Sequence, residues 1–159
     1  KKGDMKSAEK CFNNAIKQEK NQVSLRELSK LLRQLPVRGD DEKAEKLHES
    51  LQRAKEAVHI DITDSESWYV LGNAYVAIFF SLSPKPSLME NALIAYGRAE
   101  QNVGGLKNPD LYFGRAQVYR YQENYSLSAT DYLKALQLDP SLPAKQALTD
   151  MEFHIMKCY

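Results

Sequence analysis

Trp68-Tyr69-Val70-Leu71-Gly72-Asn73-Ala74-Tyr75 is the stretch on which the fold turns. Trp68, Leu71 and Tyr75 stand at i, i+3 and i+7, which puts them on one face of a helix. Gly72 sits inside that helical pattern, and its missing side chain lets a second helix approach closely. Working outward from it, a second pattern recurs: a small residue, an aromatic four positions later, then alanine three after that. Ala8, Phe12 and Ala15 fit it, as do Ala92, Tyr96 and Ala99, and Ser128, Tyr132 and Ala135; Ser50, Ala54 and Ala57 fit with the aromatic lost. Small residues at such places let neighbouring helices nest. Successive sets are 42, 42 and 36 residues apart.

A first helix of the form W-x2-L-G-x2-Y followed by such a second helix, at a period near 34 residues, is the pattern of the tetratricopeptide repeat. Residues 68–75 match it without a substitution, and the chain resembles that family. The expected fold class is all-α, a solenoid of tetratricopeptide helical hairpins with a C-terminal capping helix. One domain, residues 1–159, divides into the second helix of a truncated repeat (1–22), three repeats (23–64, 65–108 and 109–142) and a capping helix (143–159). First helices are expected at Val23 to Leu35, Ser65 to Phe80 and Asp110 to Gln122. The extra residues of the longer repeats are assigned to the hairpin turns, at Pro36 to Asp41 and Ser81 to Ser87, and Gly104-Gly105 to a joint in αL or extended backbone. Ala147, Leu148, Met151 and Ile155 form the apolar stripe of the last helix. Ala8, Phe12 and Ala15 have no first helix to cover them, which points to truncation at the N-terminus.

Composition agrees with a folded helical chain. Among 159 residues, 43% are hydrophobic and 27% charged, with only 7 Gly and 6 Pro, away from the composition of disorder. Net charge is +1, from 22 Lys and Arg against 21 Asp and Glu, which disfavours a dedicated nucleic-acid binder. The uncharged run from Ser67 to Pro84 is too polar for a membrane span and reads as a buried helix. Cys11 and Cys158 lack a partner at metal or redox spacing, which fits a reducing, intracellular setting. His48, His59 and His154 have no ligand-spaced companions, no glycine-rich phosphate loop is present, and no serine lies in a nucleophile elbow. The expectation is a non-enzyme with no cofactor and no metal.

In tetratricopeptide hairpins the first helices line a groove. The first repeat would present Arg26, Lys30 and Arg33; the next Glu66, Tyr69, Asn73 and Val76; the last Asp110, Phe113, Gln117 and Arg120. A row of cations at i, i+4 and i+7 is either a locally paired surface or a binding face whose repulsion has been tolerated. Asp110, in Asn108-Pro109-Asp110, could instead serve the N-terminus of its helix. Asn73 could meet a bound backbone or simply face solvent. Residues 1–60 carry 14 Lys and Arg against 10 acids, the rest 8 against 11, so a peptide with both signs of charge would be complementary and oriented. A clamp for a chaperone's C-terminal carboxylate is rejected, because its basic slots hold Asp110 and Gly114 here.

Lys1-Lys2-Gly3-Asp4, Val23-Ser24-Leu25, Leu32-Arg33-Gln34-Leu35, Ser67-Trp68-Tyr69 and Asn108-Pro109-Asp110-Leu111 carry a closer resemblance, to a family of tetratricopeptide adaptors that act in the cytoplasm and nucleus. That resemblance implies recognition of the Met-Arg-Glu peptide at the N-terminus of nascent tubulin, at the ribosome, leading to tubulin mRNA decay. It implies that Arg33 meets the peptide's acid and Asp110 its arginine. A further acid of the family falls on Ala144 here. Members also carry more repeats and a C-terminal OB-fold domain, through which ribosome and mRNA-decay adaptors would be reached. Peptide contacts are expected at Arg33, Asp110, Asn73, Lys30, Tyr69, Glu66, Phe113 and Gln117, with no membrane or nucleic-acid partner. The alternatives are a nuclear scaffold for stress-responsive transcription coactivators, using the convex face or long turns, and a helical-repeat RNA binder.

Overall fold

A computed structural model describes residues 2–158. Among these the chain forms α1 (Lys2–Gln18), α2 (Gln22–Leu32), α3 (Asp40–Ile60), α4 (Ser65–Ser81), α5 (Pro86–Glu100), the single turn α6 (Val103–Leu106), α7 (Pro109–Tyr121), α8 (Tyr125–Leu138) and α9 (Ala144–Cys158). Helix starts follow from short polar side chains that accept otherwise orphaned backbone N–H groups. Asn21 accepts from the Ser24 N–H at 2.9 Å, Asn108 from Leu111 at 3.2 Å and Asn124 from Leu127 at 3.3 Å. Pro86 and Pro109 open α5 and α7, where the missing N–H would have lacked a partner anyway. None of the described helices is long and apolar enough to cross a membrane.

The chain forms two compact units, Lys1–Asn102 and Val103–Tyr159. In the first, α1 packs on α2, α2 on α3, α3 on α4 and α4 on α5, and α2 also reaches α4. Leu28, Leu32 and Leu35 meet Met5, Phe12 and Ile16 of α1. Ala54, Val58, Val70, Leu71, Ala74 and Ala95 make the second cluster. In the other unit α7 packs on α8 and α8 on α9, whose Met151 is buried. The small-aromatic-small pattern lies where nesting requires it. Ser50, Ala54, Ala57, Ala92, Tyr96, Ala99, Ser128, Tyr132 and Ala135 are all at most 1% exposed, whereas Ala8, Phe12 and Ala15 are half-buried.

Two local expectations are corrected. The extra repeat length does not all sit in the turns, for α2 ends at Leu32 and α3 then runs for 21 residues, while only residues 82–85 separate α4 from α5. Helix extension keeps backbone groups paired that a longer loop would leave to solvent. Gly104 and Gly105 lie inside α6, and among the described glycines none has a positive φ. The left-handed residue is instead Glu123, at φ 60°, in the turn from α7 to α8.

At Gly72 two helices approach closely. A Cβ there would lie 2.6 Å from Tyr96 Cε1 and 2.7 Å from Cδ1, and the Tyr96 ring is only 1% exposed. Gly97, on α5, has nothing within 4 Å of its notional Cβ. Gly72→Ala should therefore cost about 1–3 kcal/mol in urea denaturation through overpacking, while Gly97→Ala should stabilise by about 0.5–1 kcal/mol, the ordinary helical difference. Glu123→Gly should stabilise the second unit by up to about 1 kcal/mol by relieving left-handed strain, read as a raised melting temperature.

Candidate functional site

The cations of α2 separate once their partners are known. Arg26 Nη1 lies 2.6 Å from Asp64 Oδ2, and Lys30 Nζ lies 2.7 Å from Glu66 Oε1 and 3.0 Å from Glu27 Oε1. Asp64 also caps α4, accepting from the Ser67 N–H at 3.2 Å and from the Ser67 hydroxyl. The row Arg26, Lys30, Arg33 is therefore not a uniformly free basic stripe, and two of its three members are matched within the unit.

Arg33 is different. It follows the last residue of α2 and keeps helical backbone angles, so its half-buried side chain lies over the hairpin. Its Nη1 donates to Ser29 Oγ and to Ser50 Oγ, each at 3.0 Å, while the Ser50 hydroxyl is 2.9 Å from the Ser29 carbonyl and 3.0 Å from Ser29 Oγ. Both serines are fully buried. Among the described residues Arg33 has no carboxylate partner. Burial pushes its guanidinium below the ordinary arginine value, with Tyr96 and Tyr69 close enough to act in the other direction. The guanidinium is fixed by neutral hydroxyls that leave its charge unmatched, an arrangement suited to an incoming anion.

Tyr69 and Tyr96 stand beside it, ring centroids 6.4 Å apart and tilted by 37°. The Tyr96 hydroxyl donates to Asn73 Oδ1 at 2.7 Å, so the oxygen end of Asn73 is engaged and its amide nitrogen is the end left for another partner. Burial, with Tyr69 nearby, pushes the Tyr96 hydroxyl well up and keeps it protonated as the donor. The first unit thus brings together Arg33, Tyr69, Asn73 and the Lys30–Glu66 pair. Asp110, Phe113 and Gln117 belong to α7 of the second unit. Asn108, not Asp110, provides the side-chain cap of α7, and Asp110 is exposed in its first turn. Phe113 packs against Tyr132 at 5.6 Å, and Gln117 is exposed. Ala144, where the family's further acid would fall, is fully buried at the start of α9, a place where a lone carboxylate would be strongly disfavoured.

Sequence reading missed the serine pair. A polar residue in the small slot of an otherwise apolar pattern, Ser50 above Ala54 and Ala57, was the available signal. It also missed the paired Arg115 and Asp131, which meet at 2.6 Å (Nε to Oδ2) and 2.9 Å (Nη2 to Oδ1) with 12% and 8% of their side chains exposed. That two-pronged contact ties α7 to α8.

For Lys30, burial alone would lower the ammonium, but hydrogen bonds to Glu66 and Glu27 outweigh it and hold the group above its ordinary 10.5. The stability it contributes is complete below that value and lost as pH rises through the raised one. Lys30→Met should lower the melting temperature at neutral pH and flatten the decline above pH 10.5, checked by melts across that range.

The tetratricopeptide repeat family matches residues 109–142. The chain is 42% identical over 144 residues to tetratricopeptide repeat protein 5 of Bos taurus, 41% over 147 to that of Mus musculus and 40% over 144 to that of Homo sapiens. These spans cover 90–92% of this chain and 33% of each relative, so the chain spans about a third of their length. Among solved structures it is similar to TTC0263, a thermophilic TPR protein of Thermus thermophilus, with a TM-score of 0.74, 20% identity and coverage of 96% of this chain and 75% of that one. MamA is also similar, at 0.67, 20%, 98% and 86%. The all-α tetratricopeptide class read from residues 68–75 is the fold observed, and repeats of this kind serve protein interaction. The chain thus has the all-α tetratricopeptide solenoid fold, carries a match to the tetratricopeptide repeat at residues 109–142, and is similar over nine tenths of its own length to a third of tetratricopeptide repeat protein 5.

Proposed function

We propose that the chain is the peptide-binding part of a non-catalytic adaptor, and that Arg33 receives the acidic side chain of a short extended peptide. The observation that carries this is the half-buried guanidinium held by Ser29 and Ser50 without a carboxylate among the described residues. Tyr69 and Tyr96 lie beside it, and the amide nitrogen of Asn73, whose oxygen accepts from the Tyr96 hydroxyl, would meet a peptide carbonyl. Lys30 and Glu66 hold one another and set the rim, where a passing peptide charge exchanges with one of them at little net gain.

The peptide is the Met-Arg-Glu segment of nascent tubulin, a proposal that rests on the relationship to tetratricopeptide repeat protein 5 and on the family resemblance. Its glutamate would go to Arg33. Asp110 enters on the same resemblance, as the acid for the peptide's arginine; it is exposed in the first turn of α7, whose side-chain cap is Asn108. The pairing of Arg26 and Lys30 also weakens the RNA alternative, which needs a row of free cations. Cytoplasmic and nuclear location, ribosome contact and mRNA decay belong to the whole protein and are proposed for it.

Fluorescence anisotropy with a labelled tubulin N-terminal peptide tests this. Arg33→Ala and Asp110→Ala should each weaken binding by about 1–3 kcal/mol, the value of a charge-assisted hydrogen-bonded contact. Replacing the peptide's glutamate by glutamine should cost the parent protein a similar amount and the Arg33→Ala variant much less. Unchanged affinity in both variants would sink the proposal.

A further inference from the structure

At the turn end of the α2–α3 hairpin lies a cleft of about 150 Å³. Arg33, Lys43 and Lys46 enter it, and Leu35, Val37 and Leu47 contribute apolar wall. The three cations are not equivalent. Lys46 is matched by Glu9 at 2.7 Å, with Glu49 at 4.0 Å. Arg33 meets only the two serine hydroxyls through Nη1, which leaves Nε and Nη2 without a hydrogen-bond acceptor among the described residues. Lys43, half-buried in the first turns of α3, makes no ion pair or side-chain hydrogen bond among the described residues. The acid next to it, Glu42, is turned to the Arg38 N–H at 2.7 Å.

The cleft therefore holds two unmatched positive charges beside low-dielectric wall, where each counts for more than in water. A single carboxylate would answer one of them. A phosphate monoester carries about −1.5 to −2 at neutral pH and offers three strong acceptor oxygens, enough for both the guanidinium fork and the ammonium. The volume suits a phosphate group with its ester methylene, and the leucine and valine wall suits that methylene. We propose that this cleft is a phosphate-monoester site that takes a phosphoserine side chain of a partner peptide, with Arg33 and Lys43 supplying the charge. It shares Arg33 with the reading above and does not require the tubulin peptide.

The test titrates the chain with acetyl-Ala-Xaa-Ala-amide tripeptides in which Xaa is phosphoserine, glutamate or serine, and separately with inorganic phosphate, at matched ionic strength. The Arg33 side-chain N–H resonance reports occupancy. The phosphoserine tripeptide should bind about tenfold more tightly than the glutamate one, and the serine one should not saturate. Lys43→Gln should bring phosphoserine and glutamate within about twofold of each other, whereas Lys43→Arg should keep most of the preference. Melting curves of each variant show that the hairpin is intact. Equal affinity for the phosphoserine and glutamate tripeptides overturns the proposal, as does a preference that survives Lys43→Gln. Saturation by inorganic phosphate without response to the phosphoserine tripeptide also overturns it, marking a free-anion site. Phosphoserine selectivity in a chain that ignores the tubulin peptide would defeat only the preceding reading, and tubulin-peptide binding without that selectivity only this one.

Discussion

The packing of Tyr96 against the bare backbone of Gly72 is the contact on which the first unit depends. With no side chain at 72, α5 can bring a whole aromatic ring onto α4, close enough that a single methyl would overlap two ring carbons. That approach delivers the Tyr96 hydroxyl to Asn73 and sets the ring beside Tyr69. The aromatic wall next to Arg33 is thus a by-product of how two helices nest, and the geometry of recognition is set by core packing.

Electrostatics is layered on that scaffold in two ways. Where a cation and an acid come together across helices, as in Arg26 with Asp64 and Lys30 with Glu66, the pair joins α2 to the start of α4. Asp64 does this while capping α4, so a single carboxylate serves both helix initiation and interhelical contact. Where a cation meets only hydroxyls, as Arg33 does, the charge stays available. The same helix carries both kinds, four and three residues apart, and only the packing distinguishes them.

This is also the measure of what could be read in advance. The 68–75 stretch and the small-aromatic-small spacing give helix type, pairing and the buried faces, because those follow from periodicity and side-chain size, both local properties. Spacing did not show which of three equivalent-looking cations stays without a carboxylate, and only the family resemblance singled out Arg33, since Asp64 lies 38 residues from Arg26 and Glu66 lies 36 from Lys30. Those pairs exist only after α2 reaches α4. Asp110 posed a similar problem: it could have capped α7, and the structure gives that duty to Asn108, two residues earlier. The extra repeat length was only partly located because hydrophobic pattern does not mark how far a polar helix end continues, and Asp40 and Asp41, assigned to the turn, open α3.

The hydroxyl tether on Arg33 has a thermodynamic consequence. A free arginine side chain carries close to 2 kcal/mol of rotamer entropy, and a surface arginine surrenders much of it each time it grips a ligand. Ser29 and Ser50 make that loss happen during folding, once, along with the desolvation of a charge that no acid among the described residues offsets. That part of the cost is met before any ligand is present, and it reappears as affinity when an anion arrives. Stability and recognition at this residue are coupled in opposite directions, so selection for a more rugged fold and selection for a tighter grip pull on the same side chain.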